Sequence, residues 1–428
     1  MRKIVSLFLV FLLTVSLLAA CGGSEGSSGS SKDKTKISVL IGKPEVIGQF
    51  EDMVKEFNST HDIEVSVIPL AGQNSYEKMT SLYSSNNAPT IMMMASEFEE
   101  FGDKLLDLSD QEWVEHAQPG SLEFMKKDDK YYGMPVTVEA FGYIYNQQVL
   151  DEAVGSEFDP ATVKTRDELK DLFDKVAALD GKEAIHVSPM DWSLGAHLTN
   201  IPFATQSTEL EERHQFLQDA KDGNVEFANN DKFNGWMDTF DLMKEYNSTK
   251  DAPLAPQYDE GPLSLASGEV GLWFMGNWAY PQIKEVDPEG EYGFLPVPIS
   301  NNAEDYGNSE ISVGVPSYWT VDESQSTEEE QQAALEFLDW MVFGEGQDAY
   351  VNELNFIPVY DNIDAAPQDT LSQSIVDYMD AGKTLEWVNL YYPADAWPAM
   401  GAPMQKYLAD EIDREGLFKE FNDYWSSK

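Results

Sequence analysis

Several tryptophans of this chain stand beside hydrogen-bonding or turn-forming residues. Trp192 follows Asp191, Trp278 follows Asn277, Trp387 follows Glu386, and Trp397 precedes Pro398. Such neighbours suit a ring with an apolar C–H face and a fringe of hydroxyls, which is what a sugar presents. The indole covers the face, while carboxylates, amides and indole N–H groups bond the fringe. Acids beside indoles also suit a cationic solute, through cation–π contacts. A tryptophan taken alone is more often core than site, and the chain holds 10 Trp, 19 Tyr and 22 Phe to fill its interior. The polar and Pro-rich flanks single these four out.

Other chemistry is thinner. No G-x-S-x-G or Walker A sequence occurs. His61, His116, His186, His197 and His214 are scattered, with no H-x-x-x-H or H-E-x-x-H pair, so no metal is expected. No D-x-[DN]-x-[DN]-G loop marks calcium, and no cofactor is expected. Carboxylates are so abundant that a glycosidase pair stays open on counts. It would need two carboxyls about 5–10 Å apart, and Glu45, Glu97 and Glu139 could in principle converge. The formal charge of −48 argues against nucleic acid, which needs cationic patches. It argues equally against docking of the folded body on anionic lipid.

These residues need a scaffold. Lys36–Ile41 alternates as a strand. From Pro44 to Asn58 the apolar residues Val46, Ile47, Phe50, Met53, Val54 and Phe57 follow helical spacing. Ile63–Pro69 reads as a second strand, Tyr76–Tyr83 as a helix, and Thr90–Met94 as a buried strand. That alternation opens a parallel α/β sheet, whose ligands bind beyond the carboxyl ends of its strands. Lys130–Val138 and Phe141–Asn146 read as strands crossing between lobes. From about Asp151 to Lys284 helical patterns dominate, with strands at Ala184–Val187 and Glu269–Phe274. Tyr292–Pro298 and Ser309–Val321 are extended, Glu328–Phe343 is an amphipathic helix, and the remainder is mostly helical.

The N-terminus reads as a secretory signal. Arg2 and Lys3 precede an apolar run from Ile4 to Leu18, and Leu18-Ala19-Ala20-Cys21 ends it. Cys21, the only cysteine, sits at the cleavage point and looks like a lipobox: the signal (1–20) would be removed and Cys21 acylated, with palmitate among the expected lipids. Residues 21–36 then form the anchor and a tether of Gly, Ser, Lys, Asp, Glu and Thr, which cannot bury enough surface to fold. With no second cysteine there is no disulfide, and stability must come from a core. A body of this length usually holds more than one core.

Five short segments, in order, resemble the family 1 extracellular solute-binding proteins, the group that includes maltose-binding protein. They are KPEVIGQFEDMVKEFN from Lys43, APTIMMMASEFEEF from Ala88, YYGMPVTVEAFGYIYNQQVLDEA from Tyr131, MGNWAYPQI from Met275, and VGVPSYWTVDE with AALEFLDWMV after Val313. The resemblance implies a two-lobe α/β fold of the periplasmic-binding-protein kind, with hinge strands and a ligand cleft between the lobes. It places lobe 1 at 37–138 plus 297–345 and lobe 2 at 139–296 plus 346–428.

The resemblance also implies site residues. The turn after the first strand holds Lys43, Pro44 and Glu45, and the loop after the third holds Ser96, Glu97 and Phe98. Glu139 matches the hinge-side glutamate by its P-x-x-x-E spacing from Pro135. Asp191-Trp192 falls where a relative has Tyr. Trp278 matches the Trp of a G-x-W loop, with Asn277 at the variable position. Trp387 is the choice for a C-terminal stacking Trp, with Trp397 the alternative. Glu45 could instead be a charge at a helix N-terminus, and Glu97 one of several solvated acids. The implied function is a non-catalytic carbohydrate receptor, for a di- or oligosaccharide, serving an ABC importer's permease as a monomer. It would be lipid-anchored outside a Gram-positive cell. A cationic or other solute, a surface glycoside hydrolase and an adhesin are the alternatives.

Overall fold

The computed structural model describes residues 34–71, 73–393 and 395–428. The expected signal, Cys21 and the expected tether up to residue 33 lie outside the described residues. The expected tether end at residue 36 is two residues long, because Thr35 and Lys36 already pair with Ile63 and Glu64.

Thr35–Ile41 runs parallel to Ile63–Pro69 on one side and Ile91–Met94 on the other. Parallel neighbours need crossovers, and helices Ile47–Thr60 and Ser75–Ser84 supply them. Phe50, Met53, Val54 and Phe57 form the buried face of the first. Tyr318–Val321 and Met134–Pro135 complete this sheet as antiparallel strands.

A second sheet is built on Glu139–Asn146, every residue of which is buried. It pairs antiparallel with Val270–Gly276, Tyr292–Leu295 and Ile311–Gly314. Glu183–His186 and Thr384–Leu385 add parallel strands at the two edges. The chain passes between sheets at residues 136–138 and 315–317, and these passages are tied together. Val136 N–H donates to the Ser317 carbonyl at 3.0 Å, and Val138 N–H donates to the Ile357 carbonyl at 3.0 Å. Ile357 N–H in turn donates to Thr137 Oγ1 at 2.9 Å.

Three expectations change. The 130–138 segment is not one strand but two short ones, Lys130–Tyr131 and Met134–Pro135. Gly133 lies between them, where a Cβ would come within 2.7 Å of Met125 and 2.9 Å of Tyr318. The 309–321 strand divides around Pro316, which lacks the N–H that a ladder needs. The expected return to the first lobe at 297 also moves: Ile311–Gly314 still pairs in the second sheet, so the passage falls at 315–317. Farther on, Ile357 and Tyr360 bridge to Val138 and Ala117, well past the boundary expected at 346.

Half of the tryptophans, Trp113, Trp236, Trp273, Trp319 and Trp425, are fully buried core residues. Among the described residues no helix is long and apolar enough to cross a membrane.

Candidate functional site

A cleft of about 560 Å³ lies at the junction of the sheets. Its first wall comes from the turns after two parallel strands, with Gly42, Lys43 and Pro44 from one and Ala95, Ser96 and Glu97 from the other. Its second wall is Trp192, His197, Trp278, Trp387 and Trp397, and the passage residues Pro316 and Ser317 also line it.

Lys43, Glu97, Glu139, Trp192, Trp278 and Trp387 all line this cleft; Glu45, Asp191 and Asn277 do not. Glu45 lies behind it, its Oε1 3.5 Å from Lys43 Nζ. Lys43 is also ion-paired with Glu139. Burial disfavours the charge on Lys43, but the carboxylates of Glu139 and Glu45 outweigh burial and raise its pKa. This pair joins a turn of the first sheet to the first residue of the central strand of the second. Asn277 is turned inward, its Oδ1 accepting from Ala140 N–H at 2.9 Å. Asp191 Oδ1 accepts from Trp192 N–H at 2.7 Å. Glu97 folds back over its own turn, accepting from Ala95 N–H at 3.0 Å. Both candidates for the C-terminal tryptophan reach the cleft. Trp387 is 3% exposed and forms floor; Trp397 is 38% exposed and forms rim.

His197 was not singled out in the sequence, yet it is the hub of the aromatic wall. Its ring stacks on Phe141 at 4.6 Å and lies 5.0 Å from Trp278, 5.4 Å from Trp192, 5.7 Å from Trp387 and 6.3 Å from Trp397. Burial pushes its pKa down to about 3, so the imidazole is neutral. The reason it escapes a helical reading is local. Five residues are about 1.4 turns of an α-helix, which separates Trp192 from His197. Ser193–Leu198 is instead a π-helix, whose i→i+5 bonding brings residues five apart to one side.

Two glycines make room for the indoles. A Cβ on Gly276 would lie 1.9 Å from the Trp278 ring, and one on Gly314 would lie 2.7 Å from the Trp387 ring. Each glycine ends a strand of the second sheet, so the tryptophans fold directly over strand ends. Among the described residues no cluster of His, Cys, Asp or Glu could hold a metal ion.

Two α/β lobes with an aromatic cleft at their junction define a binding protein of the two-lobe kind. The chain belongs to the family described as bacterial extracellular solute-binding protein, whose profile matches residues 52–379. It is 23% identical over 299 residues to the multiple sugar-binding protein of Streptococcus mutans, covering 67% of each chain. It is 21% identical over 397 residues to the maltodextrin-binding protein MdxE of Bacillus subtilis, covering 89% of this chain and 84% of that one. Among solved structures, the binding protein RafE in complex with raffinose superposes with a TM-score of 0.77 at 19% identity, over 92% of this chain and 99% of that one. The apo form of RafE from Streptococcus pneumoniae gives 0.71 at 18% identity, over 92% and 98%.

Proposed function

We propose that this chain is the lipid-anchored carbohydrate receptor of an ABC importer, taking a di- or oligosaccharide and closing its lobes around it. The carrying observation is the wall of Trp192, Trp278, Trp387 and Trp397 facing polar turns of the other lobe across one cleft. Indole faces suit the C–H faces of successive sugar rings, and several of them favour more than one ring. Structural neighbours in complex with raffinose and with stachyose support the same class. Closure is favoured to the extent that the ligand contacts both walls at once. The passages at 136–138 and 315–317 are the proposed hinge, Cys21 the proposed acylation site, and the proposed lobes are the bodies built on the two sheets.

A hydrolytic role fits less well. Glu139 and Glu45 both face Lys43, so neither is a free partner in an acid–nucleophile pair. The same pairing withdraws Glu139 from use as a counter-charge for a cationic solute.

The test is a melting scan of residues 22–428 against mono- and oligosaccharides and cationic solutes. Binding to the native state raises the melting temperature by mass action. A rise with oligosaccharides, abolished in Trp278→Ala, is expected. A rise with a cationic solute alone would overturn the carbohydrate reading.

A further inference from the structure

The turn that carries Trp387 into the cleft also carries Asn389, which lines the same cleft and is only 1% exposed. Neither Oδ1 nor Nδ2 of its side chain has a hydrogen-bond partner among the described residues. Burying an amide with both ends unused is unfavourable by several kcal/mol at most and about 1–3 by mutational measures. Native structures seldom leave such groups unpaired without a reason.

Disorder of the turn is not that reason, because its backbone is held from several sides. Asn389 N–H donates to Asn200 Oδ1 at 3.0 Å, and Asn200 Nδ2 donates to the Glu386 carbonyl at 2.9 Å and to Ser312 Oγ at 3.2 Å. The Glu386 carboxylate accepts from Arg213 Nε at 2.8 Å and pairs with His214 Nε2 at 2.6 Å. The turn is therefore fixed while the Asn389 amide is left unused. Two other groups that line the cleft share this condition: Trp387 Nε1 and Ser317 Oγ are buried without a protein partner among the described residues.

We infer that Asn389 is a specificity-determining residue of the cleft, reading a pair of neighbouring sugar hydroxyls, with Trp387 Nε1 and Ser317 Oγ as further polar contacts. This rests on the carbohydrate reading. An amide offers one acceptor and one donor side by side. A vicinal diol offers the complement: one hydroxyl donates to Oδ1 and its neighbour accepts from Nδ2. The indoles recognise that a ring is present, whereas the amide recognises where its hydroxyls stand. A site built to bond a hydroxyl discriminates strongly against analogues that lack it, since its own buried groups are then stranded.

The test uses residues 22–428, wild type and Asn389→Leu, titrated calorimetrically with raffinose, stachyose, maltotriose and chitotriose. Leucine keeps the volume and removes both polar groups. The expected result is a loss of affinity of roughly 5- to 100-fold for the sugars that wild type binds, the equivalent of a buried hydrogen-bond partner removed, with the melting temperature of the free protein unchanged or raised. Wild-type affinity in Asn389→Leu would overturn the inference and leave the carbohydrate reading standing, and would mean that the amide meets only water. Binding of none of the four sugars by wild type would sink both. The second readout needs no variant at Asn389. In asparagine-labelled wild type, the Asn389 Nδ2 protons shift on saturation with a bound sugar; resonances that stay in place overturn the inference even where Asn389→Leu fails to fold.

Discussion

At the scale of single residues, the cleft depends as much on what is missing as on what is present. Trp278 lies against Gly276 so closely that any side chain there collides with the indole. Gly276→Ala should therefore swing Trp278 out of the cleft, with sugar affinity falling tenfold or more and stability falling by roughly 1–3 kcal/mol, as overpacking does. Calorimetry and urea unfolding separate the two effects; unchanged affinity would mean that the indole position is immaterial. His197 supports a second expectation. Burial holds its pKa near 3 and that of His186 near 4, against about 6.5 in an unfolded chain. Unfolding therefore takes up protons below pH 6.5, so stability present above that pH is lost as pH falls toward the folded values. Each histidine contributes a slope of about 1.4 kcal/mol per pH unit. Between pH 7 and 5, His197→Phe should lose about 2 kcal/mol less than wild type by denaturant unfolding. Equal losses would show that the imidazole protonates freely in the fold. Trp278 and Glu139 were legible because each sits in a short motif at a recognisable distance from Gly276 or Pro135. His197 and Asn389 were not, because nothing beside them in the chain hints at their neighbours in space.

At the scale of elements, the strands and helices that announce themselves by periodicity formed where expected. The opening strands and the helix Glu328–Phe343, with its Thr327–Glu330 capping box, are examples. The losses came where period and geometry part company. Gly133 and Pro316 break extended runs for reasons of close approach and a missing donor, and the break at Pro316 sits at a passage between sheets. The π-helix Ser193–Leu198 could not be read at all, since a helical pattern assumes 3.6 residues per turn. Its place is set by backbone contact: a Cβ on Gly195 would lie 2.2 Å from the Trp397 carbonyl oxygen and 2.3 Å from Gly401 N. The segment bearing Trp192 and His197 is thus pressed against the start of helix Ala396–Leu408, which bears Trp397. Neither partner is a movable side-chain end. Gly195→Ala should consequently separate the two and lower stability by about 3 kcal/mol, the upper range for overpacking, while lowering sugar affinity. A variant with wild-type melting temperature and affinity would show that the two segments can slide apart without consequence.

At the scale of the whole molecule, the problem is how two sheets with separate strand sets stay in register across a cleft. The two-lobe organisation was readable from the order of its segments. The passage points were not, because Ile311–Gly314 has the same extended character as the strand that follows it and only pairing assigns it to a sheet. Beyond the passages themselves, the two sheets are linked electrostatically. Lys43 belongs to a turn of the first sheet, Glu139 begins the central strand of the second, and both are buried. Glu45 adds a second carboxylate on the side of Lys43. Removing the lysine would leave the buried Glu139 and the partly buried Glu45 near each other with no cation. Breaking a buried pair from one side is destabilising by about 3–5 kcal/mol, because it strands the partner's charge. Lys43→Met should therefore lower unfolding free energy by about that amount, and repulsion across the junction should expand the ligand-free molecule in small-angle scattering. Lys43→Met combined with Glu139→Gln removes one of the two stranded charges. It should recover part of the stability and the compact radius, whereas a mere packing defect at position 43 would persist in the double variant. Recovery in the double variant would make the ion pair the tie that sets the resting separation of the walls; no recovery would assign that separation to the hydrogen-bonded passages alone.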